Sequence, residues 1–402
     1  MDEIFEALAA AGYTIKFLGF SAVDLYLGLP PLPFSWIGTD ADIAVLARYI
    51  EKLRFPGVEI ADGAADSPGG IDPGIYPGIY PGIYPHGTCY FRCLDEHEHE
   101  QCSFPLLSFS YDWNRQRFLD PLGVYPELRE LRKNTGISPN GNRFNSPEES
   151  YRTIMTKALL LARYGLAYND VQQGYAAARG GKSLPPPELQ RAFLCCLLVS
   201  PWPDRGLEFL KRSGILKELW PELACYDDVD HSKEYHPEGN VWNHTLEMFR
   251  HRKAHSSGSF DLKLSLGLLL HDAGKPIAAS SGSRRFDGHA ELGAIAAARF
   301  MERLGFEASI VRDTCYLVKN HMLPAALKRL PLVKTSEIMA SPMFPTLMEL
   351  YRCDESSSFK GLDEYYENSA AYQAFLKNRK NPYRSADGKK MGKNKILKRK
   401  KS

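Results

Sequence analysis

The sequence has 402 residues, more than one hydrophobic core usually holds, so we expect two or more domains. With 44% hydrophobic and 24% charged residues it has the composition of an ordinary globular protein, and no apolar run is long enough to span a bilayer. The acidic N-terminus is unlike a signal peptide, and eight scattered cysteines suit a reducing compartment. These features predict a cytoplasmic protein without a membrane partner.

The net charge of +2 conceals an uneven distribution along the chain. From Lys377 onward there are twelve Lys or Arg and one acidic residue, whereas the rest of the chain has 38 basic and 47 acidic residues. Few apolar residues in this stretch predict a disordered basic tail. The tail is either a solubilising end or a tether that gains affinity for a polyanion by releasing its counterions. The tether is favoured if the rest of the chain handles nucleic acid.

Residues 13–45 predict a strand, a helix and a second strand. The first strand ends at Gly19, Ser21 is a plausible N-cap of the helix, and the second strand carries Asp40 and Asp42. Residues i and i+2 of a strand share a face, so the two carboxylates point at one spot and repel each other unless a cation joins them. The spacing predicts a Mg²⁺ site suited to phosphoryl chemistry. The alternative is a polar strand edge, because Asp-x-Asp is common.

A low-complexity insert follows over residues 57–87, in which Pro-Gly-Ile-Tyr occurs three times. Its Pro and Gly content predicts a surface loop, to which we assign no chemistry. Beyond it, four residues of types that can hold zinc lie close together: Cys93, His97, His99 and Cys102. Their spacing fits no established zinc pattern, so an exposed turn is the favoured interpretation.

The pair His271–Asp272 is the strongest candidate for a metal site. It follows an apolar run from Leu264 to Leu270 that predicts a buried helix, and Gly274 with Pro276 is expected to end that helix. At a helix end both side chains can reach one ion, which they cannot do from the middle of a strand. His244, near the start of an earlier helix, is a natural third ligand for a divalent metal.

These residues form a pattern that resembles the HD superfamily of metal-dependent phosphohydrolases, through HPEGNVWNHTL, LLLHDAGKP, RRFDGHAELGA and KNHM. The closest resemblance is to the HD module of bacterial tRNA nucleotidyltransferases and poly(A) polymerases. The resemblance implies Mn²⁺, Ni²⁺ or Mg²⁺ as the ion. It implies the metal ligands His244, His271, Asp272 and Asp354, and the phosphate-binding residues Lys275, His289 and His321.

A second resemblance lies near the N-terminus. LGFSAVDLYLG followed by TDADIAV resembles the polymerase-β-type head of the tRNA CCA-adding and poly(A) polymerase family. The matching positions are Gly19, Asp24, Leu27, Gly28, Asp40 and Asp42. Phe20 replaces a glycine that lets backbone amides approach phosphate, and Val23 replaces an arginine. These departures predict weaker triphosphate binding.

The resemblance implies a residue role for each matching position. Asp40 and Asp42 would be the catalytic carboxylates that hold Mg²⁺, and Gly19 and Asp24 would contact the nucleotide. The run from Glu148 to Arg152 resembles the family's Glu-Asp-x-x-Arg, so Glu149 and Arg152 would meet the base edge. A capped amphipathic helix explains the same run equally well.

The implied fold class is α+β, with a nucleotidyltransferase head built on a small mixed sheet and an all-α body that contains the HD bundle. The implied domains are the head at 1–140, a helical neck at 141–230, the HD domain at 231–370 and the basic tail at 371–402.

The implied function is nucleotide addition to the 3′ end of tRNA or another RNA from ATP or CTP, with activity reduced by the lost head residues. The first alternative is a metal-dependent phosphohydrolase or phosphodiesterase with a relic head. The second is a non-catalytic RNA-binding protein. The sequence leaves the oligomeric state open.

Overall fold

The computed structural model describes residues 2–32, 34–41, 45, 48–49, 88–93, 104–133, 151–166, 183–229, 239–280, 286–358, 361–381 and 383. The insert, the Cys/His group other than the backbone of Cys93, and the basic tail at 382 and from 384 onward lie outside these residues. The chain divides into two compact units, unit 1 (Met1–Trp220 with Ala254–Phe260) and unit 2 (Pro221–Lys253 with Asp261–Ser402). Within the described part, no helix is both long and apolar enough to cross a membrane.

Unit 1 begins with a five-stranded mixed sheet, as predicted. Its strands are β1 Ile15–Leu18, β2 Phe34–Thr39, β3 Thr88–Cys93, β4 Ser110–Asp112 and β5 Arg117–Leu119. The spatial order is β3-β2-β1-β4-β5, in which β2 and β3 run parallel and every other pair antiparallel. Helix α1 (Asp2–Ala10) buries Phe5 and Leu8 against Ile15 of β1 and Ile37 of β2.

Helix α2 (Phe20–Leu27) follows β1 without the predicted serine cap. Gly19 is the residue before the helix, with φ 53° and ψ −125°, a left-handed backbone that favours glycine. Its carbonyl accepts the amides of Ala22 and Val23, so the helix begins one residue before Ser21. Helix α3 (Tyr125–Arg132) packs against α2 and completes this part of unit 1.

In the residues described after 150, unit 1 has four helices, α4 Tyr151–Tyr164, α5 Pro187–Leu198, α6 Pro203–Arg212 and α7 Ile215–Leu219. Helices α4 and α6 pack closely because Gly206 has no side chain. A Cβ on Gly206 would lie 2.7 Å from the Ala158 carbonyl oxygen, nearer than such atoms approach.

Unit 2 is all helical in its described residues. Its helices are α8 Pro221–Ala224, α9 Val241–Arg250, α10 Leu262–Leu270, α11 Lys275–Ser280, α12 His289–Arg303, α13 Ala308–Asn320, α14 Leu332–Met339, α15 Phe344–Ser356 and α16 Asp363–Lys380. Every residue of α10 from Leu264 to Leu270 is buried, and α9, α13 and α15 surround it. A helix that is apolar on all sides belongs in a core, so its C-terminal end also lies inside the unit. Pro276, expected to follow a helix end, lies in the first turn of α11, where proline is tolerated.

Candidate metal centre

Two of the candidate histidines are the C-caps of buried helices, His271 at the end of α10 and His321 at the end of α13. The last carbonyls of a helix lack partners within the helix. The Nδ1 atom of each ring lies next to the carbonyl three residues earlier, 2.9 Å from Leu268 O and 2.7 Å from Val318 O. A carbonyl only accepts, so Nδ1 carries the proton and Nε2 keeps its lone pair for an ion.

His289 is fixed in the same way at the first residue of α12. Its Nδ1 lies 2.9 Å from the carbonyl oxygen of Phe286, which also accepts the His289 backbone amide at 3.0 Å. Phe286 has φ 53°, an uncommon backbone for a bulky residue, and such conformations cluster at functional sites. The Nε2 atom of His289 therefore also keeps a lone pair.

His244, in the first turn of α9, is oriented by Asp354 of α15 and by Ser357, the residue after that helix. Its Nε2 lies 3.1 Å from Asp354 Oδ1, and its Nδ1 lies 3.3 Å from the Ser357 hydroxyl. That hydroxyl donates to the Asp354 carbonyl at 2.6 Å, so its oxygen accepts from His244. Sequence reasoning missed Ser357, because only the folded helix shows that it touches the histidine.

Asp272 lies at the centre of the cluster. Its Oδ2 is 3.1 Å from His271 Nε2 and 2.6 Å from Lys275 Nζ, and its Oδ1 is 3.7 and 3.8 Å from the Nε2 atoms of His289 and His321. Two groups able to hold a metal share this carboxylate, one with His244 and His271 and the other with His289 and His321. The structure thus brings together all seven residues predicted for this site.

Burial controls the charge of the cluster. It lowers the pKa of His321 to about 4 and also lowers the pKa of His289, so both rings are neutral at pH 7. Burial alone would raise the pKa of Asp354, but the hydrogen bond and charge of His244 hold that pKa well below its usual range. Imidazole nitrogens and ionised carboxylates are the donor set that a divalent transition metal prefers, so the residues fit such an ion.

The candidate catalytic carboxylate of the head lies in unit 1. Strand β2 ends at Thr39, so Asp40 follows the strand. The predicted position of Asp40 within the strand is therefore wrong. The reason is a contact with Thr14: Asp40 Oδ1 accepts the Thr14 amide at 2.7 Å and Oδ2 accepts the Thr14 hydroxyl at 2.8 Å, in place of the next ladder bond. Asp40 is exposed, so its remaining lone pairs face solvent. Asp42, its predicted partner, lies outside the described residues.

Asp24, predicted to bind nucleotide, is instead a buried structural residue. It is 2% exposed, its two oxygens each lie 3.0 Å from the Arg163 guanidinium, and Oδ1 also accepts from the Tyr164 hydroxyl at 3.0 Å. A carboxylate enclosed by this ion pair is not exposed to a ligand. Phe20, the residue in place of a glycine, is buried and stacks on Tyr164.

The structure describes the other residues predicted to contact the nucleotide only in part. Gly19 has a left-handed backbone at the start of α2, and its role in nucleotide binding stays a prediction. Glu149 lies outside the described residues. Arg152 lies within α4, but its side chain is outside the described part, so its role also stays a prediction.

Comparison with known families identifies the all-helical unit. The HD domain model matches residues 240–352, which hold His244, His271, Asp272, Lys275, His289 and His321. This segment is an HD domain. Asp354, the remaining ligand candidate, lies just after the matched segment, one turn of α15 beyond Leu350.

Relatives of the chain include proteins named as tRNA nucleotidyltransferases, the family that the sequence predicted. A CC-adding tRNA nucleotidyltransferase of Thermus thermophilus is 31% identical over 49% of this chain, and an A-adding enzyme of Deinococcus radiodurans is 30% identical over 52%. A multifunctional CCA protein of Halorhodospira halophila is 36% identical over 31% of the chain. These alignments span 45%, 49% and 29% of the relatives, less than half of each.

The fold agrees with that relationship. The CCA-adding enzyme of Bacillus stearothermophilus, solved in complex with CTP, aligns with 94% of this chain and 81% of its own at a TM-score of 0.50 and 13% identity. The predicted α+β class, with a mixed-sheet head and a helical body carrying an HD domain, is therefore confirmed. The limits of the four predicted domains stay a prediction.

Proposed function

We propose that the chain is an RNA 3′-end nucleotidyltransferase of the tRNA CCA-adding or poly(A) polymerase type, which transfers nucleotides from ATP or CTP to tRNA or another RNA. The similarity to relatives named as CC-adding and A-adding tRNA nucleotidyltransferases, each over about half of this chain, carries the proposal. These substrates are consistent with a cytoplasmic location. The basic tail would add affinity for RNA by releasing counterions from its phosphates.

In this proposal Asp40 and Asp42 are the catalytic carboxylates of the head and hold Mg²⁺. When bound, the ion would neutralise the triphosphate and help to activate the RNA hydroxyl. The two hydrogen bonds from Thr14 fix the orientation of the exposed Asp40 carboxylate, one member of the pair. Glu149 and Arg152 would recognise the base, and Gly19 would let the nucleotide approach the backbone.

The test uses the full chain, labelled tRNA lacking its 3′ terminal nucleotides, Mg²⁺, and ATP and CTP singly and together. We expect Mg²⁺-dependent extension, and sequencing of the products names the nucleotide added. An RNA that stays unextended under every condition would contradict the proposal. Binding of that RNA without any turnover would favour the non-catalytic RNA-binding alternative.

A second candidate function, metal-dependent phosphoester hydrolysis, is favoured by the HD centre. The observation that carries it is the convergence of four imidazoles and two carboxylates, Asp272 and Asp354, in one cluster. When bound, a divalent ion lowers the pKa of a coordinated water so that hydroxide is available near neutral pH. Lys275, 14% exposed at its side chain, is the cation best placed to bind the phosphate of a substrate.

We assign two ion positions to this centre, both using Asp272. His244, His271 and Asp354 would hold one ion, and His289 with His321 the other. The Nε2 atoms of His289 and His321 are 3.1 Å apart, and with both Nδ1 atoms facing carbonyls a shared ion satisfies both lone pairs. A neutral ring whose Nε2 is unprotonated cannot donate to phosphate, so a ligand role suits these two residues better than the predicted phosphate contact.

The hydrolytic activity is tested by removing metal from the full chain with a chelator and restoring Mn²⁺, Ni²⁺ or Mg²⁺ one at a time. We expect hydrolysis of phosphomonoesters or phosphodiesters to return with at least one of these ions. Hydrolysis that persists in the chelated protein, or that no ion restores, would contradict this second function.

A further inference from the structure

The two ion positions of the HD centre draw their ligands from different helices. His244 comes from α9, His271 from the end of α10 and Asp354 from α15, whereas His289 comes from the start of α12 and His321 from the end of α13. The second position therefore exists only if the start of α12 lies close to Asp272. The contact that brings them together involves Gly274, two residues after Asp272.

Gly274 lies directly against the first turn of α12. A Cβ on Gly274 would lie 2.0 Å from the His289 carbonyl oxygen and 2.5 Å from the Gly293 amide nitrogen. Both neighbours are backbone atoms, which cannot rotate away as the end of a side chain can. A Cβ atom essentially never lies within 3.0 Å of another heavy atom to which it is not bonded, so any larger residue at 274 would displace α12 by about 1 Å or more.

Gly293 makes the reciprocal contact one turn further along α12. A Cβ on Gly293 would lie 3.1 Å from the Gly274 amide nitrogen and 3.2 Å from Val318 Cγ1. The two glycines thus allow α11 and α12 to meet backbone to backbone. Displacement of α12 would carry His289 away from Asp272 and His321, while no ligand of the first position belongs to α12.

We propose that Gly274 is the positioning residue of the second metal position, and that it decides whether the HD centre holds two ions or one. The inference rests on the second candidate function, because it takes the cluster to be a metal centre. A one-ion centre would keep His244, His271, Asp272 and Asp354, and would lose the contribution of His289 and His321. Gly274 would act through α12 and would not touch metal or substrate.

The experiment counts Co²⁺ ions by titration calorimetry and visible absorption, in the full chain carrying Asp40→Ala and Asp42→Ala so that the head does not contribute. We expect this parent to bind two Co²⁺ at the HD centre and His321→Ala to lose one of them. Gly274→Ala should bind Co²⁺ at the second position at least about tenfold more weakly, while its affinity at the first position stays at the parental value.

Two further glycine variants complete the experiment. Gly293→Ala tests for a smaller effect on the second ion, and Gly267→Ala is the control. Gly293→Ala, with its nearest contact at 3.1 Å, should weaken the second ion less than Gly274→Ala does. Gly267→Ala in α10 would meet the side-chain ends of Leu317 and Leu350 and should keep both ions, because it does not displace α12. This control separates loss of the position from general damage to packing.

The outcomes distinguish this proposal from the function on which it rests. If the parent binds two ions and Gly274→Ala binds both with parental affinity, the positioning role is wrong and the two-ion centre stands. If the parent binds a single ion, the two-ion centre itself is wrong. If circular dichroism shows that Gly274→Ala does not fold, Gly293→Ala decides, and parental affinity for both ions there would overturn the proposal.

Discussion

At the scale of single residues, the buried ion pair of Asp24 and Arg163 connects α2 to α4, which are separated by more than a hundred positions in the chain. Both side chains are about 3% exposed, and the guanidinium also donates to the Pro30 carbonyl. The sequence could not predict this pair, because a motif match made Asp24 a candidate nucleotide contact. A buried pair is costly to break, since the remaining charge has lost both water and its partner.

Substitution Asp24→Ala is therefore expected to destabilise unit 1 by about 3–5 kcal/mol. The double variant Asp24→Ala, Arg163→Met should regain much of that loss, because it leaves no unpaired buried charge. Urea denaturation of the three proteins measures the difference. Equal stability of the single variant and the parent would contradict the structural role of Asp24.

Ser357 provides a second prediction at the scale of residues. Its hydroxyl oxygen accepts from His244 Nδ1 and so orients the ring with Nε2 toward Asp354, the other candidate ligand of the same ion. Substitution Ser357→Ala should weaken the ion held by His244 by about 10- to 100-fold, the usual effect of losing a partner behind a metal ligand. Mn²⁺ titration measures the affinity.

The adjacent Ser358→Ala is the matched control for Ser357→Ala. Its hydroxyl donates to the Glu355 carbonyl at 2.9 Å, whereas the Ser357 hydroxyl lies 3.3 Å from His244 Nδ1. Metal affinity should therefore stay at the parental value. If both serine variants bind Mn²⁺ as the parent does, the orienting role of Ser357 is wrong.

At the scale of elements, helix ends build the metal centre. The sequence predicted His271 and Asp272 at a helix end and His244 in a first turn, because apolar periodicity and adjacent Gly or Pro mark helix limits. It could not predict the approach of α11 to α12, since that depends on two glycines that nothing in a helical pattern distinguishes from ordinary interruptions. It likewise placed Asp40 inside β2, because the contact with Thr14 joins positions 26 residues apart.

The close packing of α4 and α6 in unit 1 gives a prediction for elements. Gly206→Ala would place a Cβ 2.7 Å from the Ala158 carbonyl and 3.0 Å from the Ala162 Cβ, so α6 must move away from α4. We expect a loss of about 1–3 kcal/mol in the free energy of unfolding. Urea denaturation measures that loss.

Glu208→Ala, on the same helix, is the control for Gly206→Ala. Glu208 pairs at the surface with Arg212, 2.7 Å away, and surface substitutions usually change stability by less than about 0.5 kcal/mol. A Gly206→Ala protein no less stable than this control would show that the two helices do not pack as tightly as described.

At the scale of the whole molecule, the two candidate sites lie in different compact units, Asp40 in unit 1 and the metal cluster in unit 2. The HD centre is complete among the described residues, whereas the head has lost residues that neutralise triphosphate in the family it resembles. The sequence predicted the class of each unit, since strand and helix patterns are local. It left the balance between addition and hydrolysis open, because rates depend on small distances that no pattern encodes.

The most direct measurement of the central claim is a crossed assay of the full chain and two variants, Asp40→Asn with Asp42→Asn, and His271→Ala. Asn at position 40 keeps an oxygen to accept the Thr14 amide and removes only the charge, so the fold of the head should persist. Each protein is tested for extension of tRNA lacking its 3′ end and for metal-dependent phosphoester hydrolysis.

We predict that the head variant loses extension by at least about 100-fold and keeps hydrolysis, while His271→Ala loses hydrolysis and keeps extension. Such a result would assign nucleotide addition to the head and hydrolysis to the HD centre. Extension that survives in the head variant at the parental rate would contradict the account.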